Sequence, residues 1–398
     1  MTRALRTART GAVLTFVLAG LMCGSMTVRI PALSDKLGLS EASVGVTLLV
    51  WGLGALVTMQ SMRRVMTRFG SRSVLRIGAP LCAAALALLA FAPTYPLLLV
   101  TAGLFGMAFG SVDVAMNAQG SAVERAYGRP LMNGMHAGWC VGAISAGLLG
   151  TAAIAAGLSS TAHLALIALV SLPLLVVISR TYLPDPVTAE DGQAGTRHRM
   201  PPVVYLLGAI AFCAFMVEGT VADWNGLYLR DVVGAPEALA ALGYPVLEAG
   251  MLFGRLGGDR VRARFGARGM IMASGLVTAA MFAVVLTAST AMVAIATMFL
   301  VGIGVATISP VALSLAGGAV ANPGPAIAQT GAMGYAGLLL GPVVIGFISD
   351  VATLRTALGI AVVLGLLIAV AARFLPRAGM RIPAAPAETP DRELSMAA

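Results

Sequence analysis

Acidic and amide side chains inside long apolar stretches are the residues of this sequence that could do chemistry. Asp113 and Asn117 lie four apart in GSVDVAMNAQG (110–120), so they share one face if that segment is helical. Glu218 lies near the middle of a later apolar stretch, and His136 near the start of another. Inside a bilayer, a carboxylate costs about 2.5–3.5 kcal/mol at a helix centre, so it usually faces a cavity or a partner. Because burial raises the pKa of a carboxyl group and histidine titrates near neutrality, these side chains could carry protons or bind a polar solute.

Each of these residues also has a purely structural interpretation. Asp113 could bond to His136 or to a backbone group, and His136 could simply be hydrogen-bonded at a membrane boundary. Glu218 could make a helix-packing hydrogen bond as a neutral acid. Glu248 lies in another apolar stretch near Pro245, where bonding to a kinked backbone is an alternative to proton coupling.

Twelve apolar spans are the elements that must position these residues. The chain has 398 residues, and only 11% are charged, against roughly 25% in an ordinary soluble domain. Crossing a hydrocarbon core of ~30 Å takes about 20 apolar residues as a helix. The sequence therefore predicts an all-α integral membrane protein with 12 transmembrane helices. The spans are approximately 11–31, 44–62, 74–92, 97–118, 132–155, 161–180, 203–226, 237–257, 269–287, 291–315, 326–348 and 354–375.

The basic residues predict the orientation of the chain. With the N-terminus inside, the cytoplasmic segments hold all but four of the 26 Lys and Arg residues, Arg255 among them, in agreement with the positive-inside rule. The four outside are Arg29, Lys36, Arg230 and Arg355. The first span is too long for a signal peptide and no small-residue cleavage site follows it, so we expect an uncleaved helix. This predicts a multi-pass protein of the plasma (inner) membrane with both termini cytoplasmic, and scattered charge of this kind does not indicate a nucleic-acid partner.

Motifs of enzymes and metal sites are missing from the sequence. The cysteines fall inside spans without CxxC spacing and predict neither a disulfide nor a metal site. They are Cys23, Cys82, Cys140 and Cys213. There is no HExxH or GxSxG, and the single lysine, Lys36, cannot build a phosphate-binding loop. We therefore predict no enzyme activity, no cofactor and no ATP-driven motor, so a pump would draw on an ion gradient.

An internal repeat divides the chain. A shift of 196 residues superposes RFGSR (68–72) on RFGAR (264–268) and Gly106 on Gly302, without a gap. Because the shift covers six spans, the two halves have the same orientation and form parallel repeats. We predict a six-helix bundle in 1–182, a cytoplasmic linker in 183–202, a second bundle in 203–375 and a cytoplasmic, disordered tail in 376–398.

The segment FGRLGGDRVRARFGAR (253–268), with the two parallel halves, resembles the major facilitator superfamily and its Gly/Asp/Arg loop signature. The segments DVAMNAQG, GMHAGW and EGTVADWNGLYLRD are similar to a bacterial subgroup near the fucose/glucose permease-type members. The first-half copy of the loop has Arg63 where the second has Asp259, a departure from the pattern. The resemblance implies a gating role for Asp259 with Arg260; the alternative is a basic loop that only sets topology. The loop signature also includes Arg264, Gly266 and Arg268.

The same resemblance implies that the first, fourth, seventh and tenth helices line a central cavity. It places six polar residues there, Arg29, Asp113, Asn117, Glu218, Asp223 and Asn225. Glu248, on the eighth helix, is the weaker coupling candidate for this reason. Arg29 and Asp223 approach the outer ends of their helices, where we predict that they pair and close an outer gate; solvated charges at helix ends are the alternative. Trp224 could stack on a sugar ring or lie in the interfacial aromatic belt.

These features predict a secondary active transporter that moves a small organic solute by alternating access and is coupled to protons, as a symporter or antiporter. A polar, sugar-like solute is favoured, because carboxylate and amide groups suit hydroxyls. One alternative is a proton-driven multidrug or metabolite efflux pump with a methionine-lined cavity, and another is a channel or non-transporting scaffold. The expected partners are the solute, protons and the lipid bilayer, and the expected state is a monomer. The methionines of that alternative are Met107, Met116, Met135 and Met216.

Overall fold

The computed structural model describes residues 2–128, 131–184, 200–320 and 323–376, and within these ranges it contains helices and no strand. The predicted tail beyond 376 and most of the predicted linker lie outside the described residues. The helices are α1 Arg3–Val28, α2 Ile30–Leu37, α3 Glu41–Ala90, α4 Tyr95–Tyr127, α5 Met132–Ala155, α6 Ser160–Ile178, α7 Pro202–Leu227, α8 Glu237–Ala240, α9 Gly243–Thr287, α10 Ala291–Val305, α11 Ile308–Gly317, α12 Pro323–Val351 and α13 Leu354–Ala372. A π-helical turn, Tyr228–Val232, follows α7. The prediction of an all-α membrane fold is confirmed.

Two of the long helices are sharply kinked at equivalent glycines. Gly70 in α3 has φ 71° and ψ 161°, and Gly266 in α9 has φ 71° and ψ 163°. Residues with a side chain avoid this region, so glycine lets each chain turn back without a loop. Each kink separates two membrane spans. Eleven helices of the described chain are long and apolar enough to cross a membrane; the predicted eighth span, 237–257, is not among them, and its residues lie in α8 and the first part of α9.

The helices before and after the linker pack in the same pattern. In the first set, residues 3–178, α1 contacts α4, α5 and α6, and α3 contacts α4 and α6. In the second set, residues 202–372, α7 contacts α11, α12 and α13, and α9 contacts α10 and α13. Gly106 lies against the Trp51 carbonyl as Gly302 lies against the Leu247 carbonyl, each too close to admit a Cβ atom. Because 51 and 247 are also 196 apart, the sequence repeat reproduces individual helix contacts.

We call the end of the bundle at which α1 begins the terminal face and the opposite end the far face. Several helices begin at the far face with hydroxyl N-caps, which satisfy backbone N–H groups in the first turn. Ser40 accepts from the N–H of Ser43 at 3.3 Å, and Ser159 accepts from that of Ala162 at 3.1 Å. These caps fix where the chain re-enters the bundle after each short connection.

Contacts between the two sets run along α3 with α12 and along α5 with α9. Small residues allow close approach there. Gly45 lies against the carbonyl of Pro342, and Gly147 lies against the ring of Pro245. Both contacts lie towards the far face, so the two sets are closed against each other at that end.

Candidate functional site

An ion pair at the middle of the bundle links three helices. Arg255 of α9 lies 3.7 Å from a carboxylate oxygen of Glu218 in α7, measured from its Nη2 atom. Its Nη1 atom donates to the Cys140 sulfur of α5 at 3.1 Å. Arg255 and Glu218 keep 30% and 25% of their side-chain surface exposed, so water can reach the pair. Since α5 belongs to the first set and α7 and α9 to the second, Arg255 bridges the two sets.

The assignment of Arg255 to a cytoplasmic segment is therefore wrong. Its side chain lies in the interior between α5 and α7 rather than in the loop that follows. An arginine at the end of an apolar span can lie in the loop or face the interior of the bundle, and its position in the sequence does not distinguish the two. One signal could have found it, since Arg255 lies two turns after Glu248 and so shares its helix face.

Asp113 and Asn117 lie half-buried on one face of α4, as predicted. The Asn117 amide donates to the Asp113 backbone carbonyl at 2.8 Å and to its carboxylate at 3.3 Å. Gln119, on another face of the same helix, is buried and donates to Ser71 at 2.9 Å while accepting from the backbone N–H of Leu183 at 2.8 Å. The polar residues of GSVDVAMNAQG thus have two roles. Gln119 links α4 to α3 and to the segment after α6, whereas Asp113 faces the interior.

His136 is exposed, and the ring of Phe16 packs edge-on against it with centroids 5.2 Å apart. It also lies within electrostatic range of Arg255. Within the described structure His136 makes no hydrogen bond to Asp113, and its neighbours are the ring of Phe16 and the charge of Arg255.

Tyr335 of α12 is a site residue that the sequence did not reveal. It lies within electrostatic range of both Asp113 and Glu218. Its ring stacks on that of Phe215 in α7, with centroids 5.8 Å apart and planes 16° apart. A tyrosine in an apolar, glycine-rich span carries no local signal of this role, because its position depends on how α12 meets α7.

Glu248 lies closer to the site than its position on the eighth span implied. Its side chain is buried, with 7% of its surface exposed, and one carboxylate oxygen has no hydrogen-bond partner in the described structure. It lies within electrostatic range of Arg255 and Glu218. Cys23 of α1 lies within the same range of Asp113, Asp223 and Glu248. We call Asp113, Glu218, Asp223 and Glu248 the acid cluster.

The predicted pair of Arg29 with Asp223 does not form. Arg29 follows the last residue of α1, and its buried side chain turns towards α6, where it donates to His163 Nδ1 at 3.1 Å and to the Leu158 carbonyl at 2.8 Å. Its acidic partner is Glu237 of α8, at 3.7 Å. Asp223 instead faces Thr27 of α1, its own equivalent in the repeat. The one-residue helix break at Arg29 rotates the side chain away from α7, which the sequence could not show.

Other polar contacts close the far face between the two sets. Arg230 makes a bidentate contact with Asp35 of α2, at 2.6 and 3.1 Å, and a second one with its neighbour Asp231. The carboxylate of Asp350 accepts from the backbone N–H of Ala42 at 3.2 Å. Together with Arg29 and Glu237, these contacts join α2 and α3 to α7, α8 and α12.

Trp224 and Asn225 do not line an open cavity. Trp224 is fully buried in the apolar core, which excludes both sugar stacking and a place in an interfacial belt. Asn225 is 3% exposed, and its amide donates to the backbone carbonyls of Val221 and Ala222 in its own helix. Asn225 also lines a small, closed pocket at the far face with Thr27, Arg230 and Glu237, so its place at an outer gate stays a prediction.

The loop signature lies at the terminal face. The side chain of Asp259 lies outside the described residues, so its predicted contact with Arg260 stays a prediction, while Arg260 itself is exposed. Gly266 forms the kink already described, and Arg268 donates to the Leu375 carbonyl at 3.2 Å. Arg264 stacks over Phe265 at 5.5 Å, as Arg68 does over Phe69 at 5.3 Å. Among the described residues, no group of three His, Cys, Asp or Glu side chains could hold a metal ion.

Comparisons with known proteins agree with this architecture. The family model described as Major Facilitator Superfamily matches residues 12–328. The uncharacterized transporter y4wD of Sinorhizobium fredii is 34% identical over 370 residues, which cover 90% of this chain and 96% of that protein. The crystal structure of a D-xylose-proton symporter superposes with a TM-score of 0.77 at 15% identity, covering 94% of this chain and 99% of that one. The crystal structure of the nucleoside transporter NupG superposes with a TM-score of 0.71 at 16% identity, covering 94% of this chain and 98% of that one.

Proposed function

Since the chain belongs to the major facilitator superfamily, and is therefore a membrane transporter rather than an enzyme, we propose that it moves a polar organic solute by alternating access, coupled to protons. The sequence resemblance to this family is confirmed by the match over residues 12–328. The solute, its direction and the proton coupling are the proposed part. They are supported by the chemistry of the interior.

The contact of Arg255 with Glu218 and Cys140 is the observation that carries the proposal. The groups that face Arg255 are Glu218, Glu248, Cys140 and His136. A proton on Glu218 removes the charge that holds Arg255, and Arg255 also holds the first set through Cys140. Proton binding would therefore release the residue that bridges the two sets from its partner within the second set, which connects protonation to the interface that moves in a proton-coupled transporter.

The orientation follows from the distribution of basic residues. We assign the terminal face, with both chain ends, to the cytoplasm and the protein to the plasma membrane. The far face, closed by Arg230 with Asp35 and by Arg29 with Glu237, is then extracellular, and the structure represents a state closed to the outside. In this proposal the two bundles, 1–182 and 203–375, rock about the interior and are joined by the linker 183–202. The tail is 376–398, and Asp259 with Arg260 forms the cytoplasmic gate.

A polar solute is favoured over an apolar one by where the methionines lie. Met116, Met135 and Met216 are 3%, 1% and 6% exposed and pack in the core, whereas Met107 is 47% exposed. They do not form the apolar lining that a pump for hydrophobic drugs would use. The partly exposed polar groups are instead Asp113, Glu218 and Arg255, so the described interior suits hydroxyl and charged groups.

The proposal is tested by proton-driven flux in proteoliposomes containing the purified full-length protein. A pH gradient should drive saturable uptake of a bound solute, identified first by thermal-shift screening of sugars, amino acids and cationic dyes. We expect Glu218→Gln to bind the solute but to lose pH-gradient-driven accumulation, because glutamine cannot exchange a proton. Exchange of labelled for unlabelled solute should survive in the same variant.

The matched control is Glu41→Gln, which changes a carboxylate at the start of α3, outside the acid cluster. It should leave flux and coupling unchanged, and unfolding temperatures should show that both variants fold. Flux that is independent of the pH gradient in the unmodified protein, or full coupling in Glu218→Gln, would contradict the proposal.

A further inference from the structure

We propose that the transported solute is an organic cation, bound through a protonated amine by Asp113 and Glu248 of the acid cluster, beside the stacked rings of Tyr335 and Phe215. This inference rests on the proposed transport function and names the class of its solute. It is carried by three independent features of the interior: the balance of charge, an unpaired buried oxygen and the position of the aromatic pair.

The first feature is a surplus of acid. Three helices, α4, α7 and α9, contribute four carboxyl groups to the interior, and the guanidinium of Arg255 interacts with two of them, Glu218 and Glu248. Arg255 pairs with Glu218 at 3.7 Å. Arg29, on the far-face side, is directed at His163 and Glu237 and so neutralises none of the four. Any of these carboxyl groups that is ionised, other than Glu218, lacks a fixed counter-charge, and an ammonium group would supply one that an anionic or neutral solute does not.

The second feature is Glu248. Its side chain is more than nine-tenths buried, yet one carboxylate oxygen has no partner in the described structure. Leaving such an atom unpaired costs the desolvation of the group, and the cost is larger when the group is charged. Glu248 shares the interior with Glu218 and Arg255. The Tyr244 hydroxyl is the hydrogen-bond donor next to this carboxyl group, and the Oε2 atom that remains without a partner can accept an N–H donor, of which an ammonium group supplies three together with a positive charge.

The third feature is the aromatic pair. Tyr335 interacts electrostatically with both Asp113 and Glu218, and its ring stacks on that of Phe215 with centroids 5.8 Å apart. A cation that lies near carboxylates and over an aromatic face is attracted by both the negative charges and the ring. The stack holds Tyr335 in place, so this surface is ready before the solute arrives. A small amine with an attached ring or chain fits this combination better than a free sugar does.

Two sets of probes that differ only in charge test the inference. Tyramine, tyrosol and 4-hydroxyphenylacetate form one set, and glucosamine, glucose and glucuronate form the other. Binding to the purified full-length protein is measured by calorimetry and by thermal shift at neutral pH. In at least one set, the amine should bind about tenfold or more tightly than its neutral and anionic counterparts, the difference expected for a hydrogen-bonded charge.

Variants locate the binding site. Glu248→Gln should weaken amine binding by about tenfold or more, and Asp113→Asn, at a half-exposed position that tolerates the change more easily, should weaken it in the same direction. Glu41→Gln is the control and should bind normally. Amine binding that is unchanged in both Glu248→Gln and Asp113→Asn, both shown to fold by thermal unfolding, would overturn the inference.

The outcomes separate this inference from the proposed function. If a neutral or anionic probe binds best, or if no amine binds, the cation inference is wrong; pH-gradient-driven flux of another solute would still support the proposed transporter. If an amine binds at the acid cluster but no pH gradient drives its flux, the site is supported and the proposed proton coupling is wrong.

Discussion

Removing the contact between Arg230 and Asp35 should open the far face without unfolding either set of helices. The guanidinium of Arg230 holds two carboxylates in the same bidentate geometry, with one contact of 2.6 Å and one of 3.1 Å to each. Asp35 belongs to α2 in the first set, whereas Asp231 is the next residue along the chain. Only the contact with Asp35 joins the two sets, so the two carboxylates form a matched pair.

The magnitude follows from the exposure of the two partners. Arg230 is 18% exposed, and Asp35 is 63% exposed, so water screens their attraction. Exposed pairs contribute about 0.2–1 kcal/mol, and bidentate geometry places this one near the upper end. Since 1 kcal/mol is about a fivefold change in an equilibrium constant, Asp35→Asn should raise the ratio of far-face-open to far-face-closed protein about fivefold.

Pulsed electron paramagnetic resonance between spin labels at positions 156 and 352 can measure this ratio. Ala156 and Ala352 are exposed at the far face, are 196 residues apart and lie in different sets, so their separation reports opening. Asp35→Asn should increase the population at long distance, and Asp231→Asn should leave it nearly unchanged. Equal shifts in the two variants, or no shift in Asp35→Asn, would refute the assignment of this contact as a latch. Restoration of the short distance by Asp35→Arg combined with Arg230→Asp would support it further.

Three further predictions concern the stability of the folded protein. Arg29→Gln should lower the unfolding free energy by about 1.5–3 kcal/mol, because it removes charge-assisted hydrogen bonds that are shielded from water. This loss should exceed that of Asp35→Asn when both variants are compared by chemical denaturation in detergent. An equal loss in the two variants would contradict the role of burial. Gly266→Ala should reduce the stability of the protein by about 1–3 kcal/mol, because alanine is strained at a φ of 71°. Gly359→Ala, within α13 and with open space around it, should be neutral or stabilising. Thermal unfolding compares the two variants, and similar melting temperatures would argue against the strained kink. Gln119→Leu should destabilise the protein by about 1–3 kcal/mol, because it leaves the backbone N–H and carbonyl of residue 183 without their hydrogen-bond partner. The affinity for the solute should not change. A change in affinity at unchanged stability would place Gln119 in the binding site instead.

The sequence predicted the helical architecture because its signals are local. Span length and low charge depend only on neighbouring residues, and the RFGSR and RFGAR copies reported the repeat that the kinks at Gly70 and Gly266 reproduce. The depth of Asp113 and Glu218 could also be predicted, since it follows from counting along a span. Side-chain type and spacing along one helix were sufficient for these conclusions.

The tertiary structure alone decided which side chains meet. Arg255 reaches Glu218 and Cys140, and Tyr335 lies near both Asp113 and Glu218, only because five helices from both sets converge on the same interior. Arg29 turned to Glu237 instead of Asp223, since a break in one helix rotates everything beyond it. A membrane helix fixes the depth of each residue by its rise along the axis, but its rotation and tilt come from packing against neighbours, and these determine the partners of every buried charge.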